Sequence, residues 1–226
     1  MLLTRKEITK HKPIISSEIT AFQKTFYDQE LREDYKEDGK EDIYLELYDH
    51  VNAEVTTYSL INKIIGFEHT NIDTFTDKLT QKIKKLLEFA GVSSCYVLSD
   101  IKLDFCGDTS DEFKPLALAY EKLDELVGGN TYTEAFQVDL ENFGELIEIF
   151  FWIIRCDPDK SEYIFFFDAD EKLRFNICKY GNIHLTEFNR EILTEEVLES
   201  LGWAVITWRK YDQFEEEDGI EGRRIS

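Results

Sequence analysis

Residues 163–180 read YIFFFDADEKLRFNICKY, two apolar runs around a polar centre. Tyr163 to Phe167 and Leu173 to Tyr180 have strand length. The second run alternates, with Leu173, Phe175 and Ile177 against Arg174 and Asn176. Asp168-Ala169-Asp170-Glu171-Lys172 supplies the turn, so the whole is a β-hairpin. Gly181-Asn182 makes a further turn and Ile183 to Phe188 a third strand. An antiparallel sheet therefore belongs to the C-terminal half.

Working outward, Thr194 to Leu201 has the pattern of a short capped helix and Trp203 to Tyr211 that of a closing strand. Upstream, Phe143 to Arg155 is apolar all round. It is either a fully buried helix or a central strand, and periodicity does not choose. Ala135 to Leu140 suits a strand. Leu116, Tyr120, Leu123 and Val127 line one helical face between Pro115 and Gly128-Gly129. From Cys95 to Cys106, Ile101, Leu103 and Phe105 alternate with Asp100, Lys102 and Asp104, which predicts a strand ending in the turn Gly107 to Asp111.

The N-terminal part reads as helical. Ser17 to Tyr35 forms a first helix with Ser17 as its cap, and the charged run Glu33 to Asp42 around Gly39 a surface turn. Asp42 to Ile65 forms a second, because Tyr44, Leu47, Tyr48, Val51, Val55, Tyr58, Ile61 and Ile65 step by threes and fours to Gly66. Thr74 to Ala90 forms a third, with Thr74 and Asp77 as a capping box and Gly91 as the stop. The fold class is α+β, with N-terminal helices packed on a mainly antiparallel sheet from the C-terminal half. We expect residues 1–226 to form one domain, with a possible helical part over 1–91, a mixed part over 92–214 and a disordered tail over 215–226. Ile220-Glu221-Gly222-Arg223 matches a processing-protease site, so residues after Gly219 enter no functional argument.

The charge is uneven. There are 47 acidic and 26 basic residues, a net of −21. Leu98 to Glu171 alone holds 19 acidic against 5 basic residues, a local net of −14. With 42% hydrophobic and 14% aromatic residues, the charge rides on a folded body rather than a disordered chain. The N-terminal MLLTRKEITKHKP lacks the apolar core of a secretory signal, and the longest apolar run, Ile149 to Ile154, is too short to span a bilayer. We expect a cytoplasmic protein with no membrane association. Cys95, Cys106, Cys156 and Cys178 form no CxxC pair and lie in or beside apolar runs, as packed thiols do.

Motifs for chemistry are sparse. Glu46, His50 and Glu54 have i, i+4, i+8 spacing beside Asp49, which suits a metal or a solvated helix face. Asp104, Asp108, Asp111 and Glu112 bracket a turn, and Asp168, Asp170 and Glu171 occupy another. Either set can supply hard oxygen ligands, or simply turn geometry. There is no GxSxG, no GxxxxGK[ST] and no GxGxxG, and Cys178 with His184 is an example of a Cys/His pair that adjacent strands would bring near. Lys78, Lys82, Lys84 and Lys85, with Arg5, Lys6, Lys10 and Lys12, are too few to draw nucleic acid to so acidic a chain.

Two functions follow. The first is a non-enzymatic acidic module that binds a basic protein, as an inhibitor or toxin-neutralising immunity protein does, through Asp100, Asp104, Asp108, Asp111, Glu112, Tyr120, Asp124 and Tyr132. The charges would steer association and the aromatics anchor it. It needs no cofactor. The alternative is a metal-dependent hydrolase in which Asp104, Asp108 and Asp168 converge in one pocket.

Overall fold

The computed structural model describes residues 1–49, 56–69 and 71–207. In chain order they form β1 (Leu2–Leu3), α1 (Arg5–His11), α2 (Pro13–Phe26), α3 (Gln29–Glu37), α4 (Glu41–Glu46), β2 (Leu60–Gly66), α5 (Phe75–Phe89) and β3 (Ser94–Ser99). Next come α6 (Lys114–Val127), β4 (Ala135–Asp139), α7 (Phe143–Cys156), β5 (Ile164–Asp168), β6 (Leu173–Ile177), β7 (Ile183–Phe188), α8 (Glu195–Ser200) and β8 (Ala204–Val205). The strands make one antiparallel sheet of order β1-β4-β3-β5-β6-β7-β2-β8.

The hairpin read from residues 163–180 is its centre, with Phe166 opposite Phe175. Alternation sends side chains of β5 to both faces, and both are covered. Ile164 and Phe166 join the larger core with α5, α6, α7 and α8. Phe165 and Phe167 join a smaller core with Ile8 of α1 and Ile15 and Ile19 of α2. That two-sided burial explains the unbroken apolar run. It also settles residues 143–156 as helix, since α7 is wedged against α5 and α6 over the sheet.

Four expectations are corrected. The first helix does not run to Tyr35, and Ser17 does not cap it. The helix starts at Pro13, and the Ser17 hydroxyl donates to the Pro13 carbonyl inside it. The chain turns extended at Tyr27 and Asp28. Asp28 Oδ1 then accepts from Glu30 N and Leu31 N and starts α3.

The second helix stops at Glu46, and Tyr58, Ile61 and Ile65 do not continue it. Leu60–Gly66 is a strand held between β7 and β8. Its Lys63 meets the fully buried Glu187 of β7 at 2.7 Å, and Glu187 also accepts from Ile192 N and Leu193 N. A carboxylate so partnered on the neighbouring strand fixes this segment in the sheet.

The expected capping box at Thr74 is not formed, because the Thr74 hydroxyl engages His69 Nε2 and the Asn71 carbonyl instead. Finally, β3 ends at Ser99, and Ile101, Leu103 and Phe105 lie in a loop. Two helix stops stand as read: Gly91 and Gly128 take φ +68 and +70, a region that favours glycine. Of the closing strand read over Trp203 to Tyr211, Ala204–Val205 is strand, and residues 208–211 lie outside the described residues, as does the tail 215–226.

Candidate protein-binding surface

The eight residues expected to bind a partner separate into interior and surface groups. Asp100 is buried; its carboxylate accepts from Ile101 N at 2.8 Å and from the Ser161 hydroxyl. Burial raises its pKa, and the bonds from Ser161 and Ile101 act in the opposite sense. Asp104 Oδ1 ties the loop together, accepting from Cys106 N at 3.0 Å and Tyr132 N at 2.7 Å. Tyr120 is 1% exposed and donates to Asp157. A Cβ on Gly107 would lie 2.2 Å from the Tyr120 ring, so only glycine lets the loop pass there. Tyr132 Oη lies 2.6 Å from the Ala135 carbonyl. Asp124 lies beside Cys106, whose thiol is pushed up to about 12, first by burial and then by Asp104 and Asp124. Only Asp108, Asp111 and Glu112 are exposed. Asp108 accepts from Ser110 N and Oγ, and Asp111 from Phe113 N at the entry to α6.

Asp100 allows a test of that interior reading. Its folded pKa is raised, so ionisation costs stability at neutral pH, and the cost fades as pH falls through the folded value. Asparagine keeps the acceptor oxygen without the charge. We expect Asp100→Asn to be at least as stable as the parent at about pH 7, with the gap narrowing toward about pH 4, as followed by urea unfolding.

Among the described residues, no three His, Cys, Asp or Glu side chains are placed to hold a metal ion. His50 and Glu54 lie outside the described residues, and Asp49 is held by Arg5. Asp168 accepts from Asp170 N and Lys172 N, the work of a turn carboxylate. Cys178 sits in the turn after β6, while His184 is opposite Asn176 and Ile64. Burial raises the Cys95 thiol as well, so neither buried cysteine is primed as a thiolate. No cysteine is disulfide-bonded.

The exposed charge is one-sided. In Leu98 to Glu171 the exposed acids include Asp108, Asp111, Glu112, Glu121, Glu125, Asp139, Glu141 and Glu145. Lys114 is the only exposed base there; Lys102, Lys122 and Lys160 are half-buried and Arg155 is fully buried. A cavity of about 490 Å³ is lined in part by Met1, whose ammonium group donates to the Gln137 carbonyl at 2.7 Å. Leu126, Phe136 and Leu146 line it with Asp139, Asn142 and Glu145, and no Lys or Arg side chain does.

A second acidic surface escaped the sequence reading. Asp28 to Glu46 carries nine acidic residues and three basic ones, a net of −6 in a short segment. It folds as the hairpin α3–α4, and α3 buries none of its residues. Tyrosines anchor it. The Tyr44 ring contacts Tyr27, Tyr35 and Tyr48, its hydroxyl bonds Asp28 N and O, and Tyr48 Oη bonds the Phe26 carbonyl. The signal was available: five tyrosines from Tyr27 to Tyr58 are dense for a surface segment, but Tyr44, Tyr48 and Tyr58 were absorbed into one helical period and Tyr35 into another.

Compared with known proteins, the chain matches no family model, and neither a curated protein nor a solved structure is similar to it. Among the described residues, no helix is long and apolar enough to cross a membrane.

Proposed function

We propose that this chain is a non-enzymatic acidic module that binds a basic protein, in the manner of an inhibitor or a toxin-neutralising immunity protein. One observation carries the reading: the exposed carboxylates of residues 98–171 face solvent with Lys114 as the only exposed base among them. At low salt the Debye length grows to about 30 Å, so such a surface projects a negative potential far enough to steer a basic partner into contact. The buried Asp100 and Tyr120 and the half-buried Tyr132 then serve as scaffold beneath that surface. The hydrolase alternative has no comparable support, since the carboxylates that would have to converge, Asp104 and Asp168, are occupied by backbone N–H groups.

The test is capture from the host lysate at low and high salt, followed by association kinetics with the partner retained. Asp100 and Asp104 are poor choices for reversal because they hold the fold. Glu112, Glu121 and Glu125 are exposed. We expect the triple change to Lys to slow association about tenfold at low salt and far less at high salt, with little change in dissociation. Unchanged rates would remove the steering role.

A further inference from the structure

The α3–α4 hairpin joins an apolar surface to a charged one. Phe26 is 43% exposed, Tyr27 37%, Leu31 45% and Tyr163 37%. Phe26 and Tyr163, far apart in sequence, have ring centroids 6.3 Å apart, so the end of α2 meets the entry to β5, and next to Phe26 the Tyr27 ring packs on Tyr44 and Tyr48 of the hairpin. Isolated exposed apolar residues are ordinary, but large aromatics gathered in one place mark contact surfaces.

The patch is also preorganised. Tyr44 and Tyr48 are buried beneath it and clamp Asp28 and the Phe26 carbonyl, and Lys102 N donates to the Leu47 carbonyl. A partner would not have to order this segment, which removes one of the main costs of association.

The charges around it select the partner. All three bases of the hairpin are engaged within it: Arg32 with Glu41 at 2.6 Å, Lys36 with Glu33 at 3.5 Å and Lys40 with Asp38 at 4.0 Å. Glu30, Asp34, Glu37 and Asp42 are exposed and have no ion pair among the described residues. An aromatic centre with a charged rim is the anatomy of a protein interface. A second copy of this chain would bring a net of −6 against its like, so self-association is opposed. Arginine fits both halves: its planar head stacks on aromatic rings and pairs with carboxylates, and its stem covers apolar surface.

We propose that the α3–α4 hairpin, with Phe26, Tyr27, Leu31 and Tyr163 at its centre and Glu30, Asp34, Glu37 and Asp42 at its rim, is the docking surface for an arginine-bearing face of a basic protein. This rests on the acidic-binder reading and assigns it a place: the carboxylates of residues 108–145 steer, and the hairpin makes contact.

The probe is the peptide acetyl-RLRRLR-amide, titrated at low salt into the isotopically labelled full chain and followed by amide chemical shifts, with acetyl-ELEELE-amide as control. We expect shifts confined to residues 26–46 and to Tyr163. We expect binding at least about tenfold weaker in Glu30→Lys/Asp34→Lys/Glu37→Lys, whose α3 makes no use of those side chains for its cap. Phe26→Ser is the second variant and should also weaken binding. Unchanged shifts of Tyr44 and Tyr48 show that the hairpin still folds in both. Shifts centred instead on Asp108 to Glu125 or Asp139 to Glu145 overturn the hairpin assignment and leave the acidic-binder reading standing. No shift anywhere, or equal response to both peptides, overturns both.

Discussion

Arg5→Ala should cost about 3–5 kcal/mol of unfolding free energy, the penalty for leaving a buried partner charge uncompensated. Arg5 is buried and grips Asp49 through both Nε and Nη2, at 2.9 and 2.7 Å. Its Nη1 reaches Ser99 Oγ at the end of β3. Gln23 of α2 extends the network, donating to Asp49 Oδ2 and to the Asp100 carbonyl and accepting from Asp49 N. Removing the guanidinium leaves the Asp49 carboxylate, 6% exposed, with Gln23 as its remaining side-chain donor. Lysine should rescue poorly, since it cannot make the two-toothed contact. Removing both charges, as in Arg5→Met/Asp49→Leu, should recover a substantial part of the loss. Urea unfolding measures the size, and hydrogen exchange in α1 and α2 shows whether the weakening is local. A loss below about 1 kcal/mol would mean that the pair behaves as a solvated surface bridge.

Phe166→Ala should cost a similar amount, about 3–5 kcal/mol, by a different route. Phe166 is fully buried at the centre of the sheet. Its ring stacks on Phe175 at 4.9 Å and 5°, and meets Phe143 of α7 edge-on at 5.4 Å. The void would be bounded by a strand pair on one side and α7 on the other, two rigid neighbours that collapse poorly into it. Phe166→Leu should lose markedly less, because most of the volume is kept. The comparison of the two in calorimetry or urea separates packing from secondary-structure propensity; equal losses would argue that the ring stacking, not the volume, is what counts.

The elements that could be read from sequence are those whose local signals and tertiary contacts agree. Hairpin β5–β6 has alternation and a polar turn, and α5 and α6 have an apolar stripe and a glycine stop. The failures have particular causes. Tyr58, Ile61 and Ile65 fitted a helical period by coincidence, and the deciding partner of this segment, Glu187, is more than a hundred residues away. The alternation of Ile101, Leu103 and Phe105 suggested a strand, but Asp104 folds the segment back by bonding Tyr132 N. The charge bias of residues 98–171 was legible and is exposed in large part. Which of its members reach solvent was not, because Asp100 and Tyr120 are buried and their polar atoms are satisfied by Ser161 and Asp157, residues distant in the chain. The hairpin surface was hidden for the same reason: Tyr163 completes it from another part of the sequence.

The strand order also has a consequence in time. β5, β6 and β7 pair with their sequence neighbours, so this meander can form as soon as residues 164–188 are free. The outer strands pair across the chain: Leu2 lies opposite Phe136 and Leu60 opposite Phe188. Pairings this distant form late, since each closes a long loop before any contact rewards it. During synthesis, then, residues 2–66 leave the ribosome first yet must wait for most of the chain before they find their places. Over that interval the apolar sides of α1, α2 and β2 are uncovered, the condition in which partly folded chains aggregate, until the C-terminal half arrives.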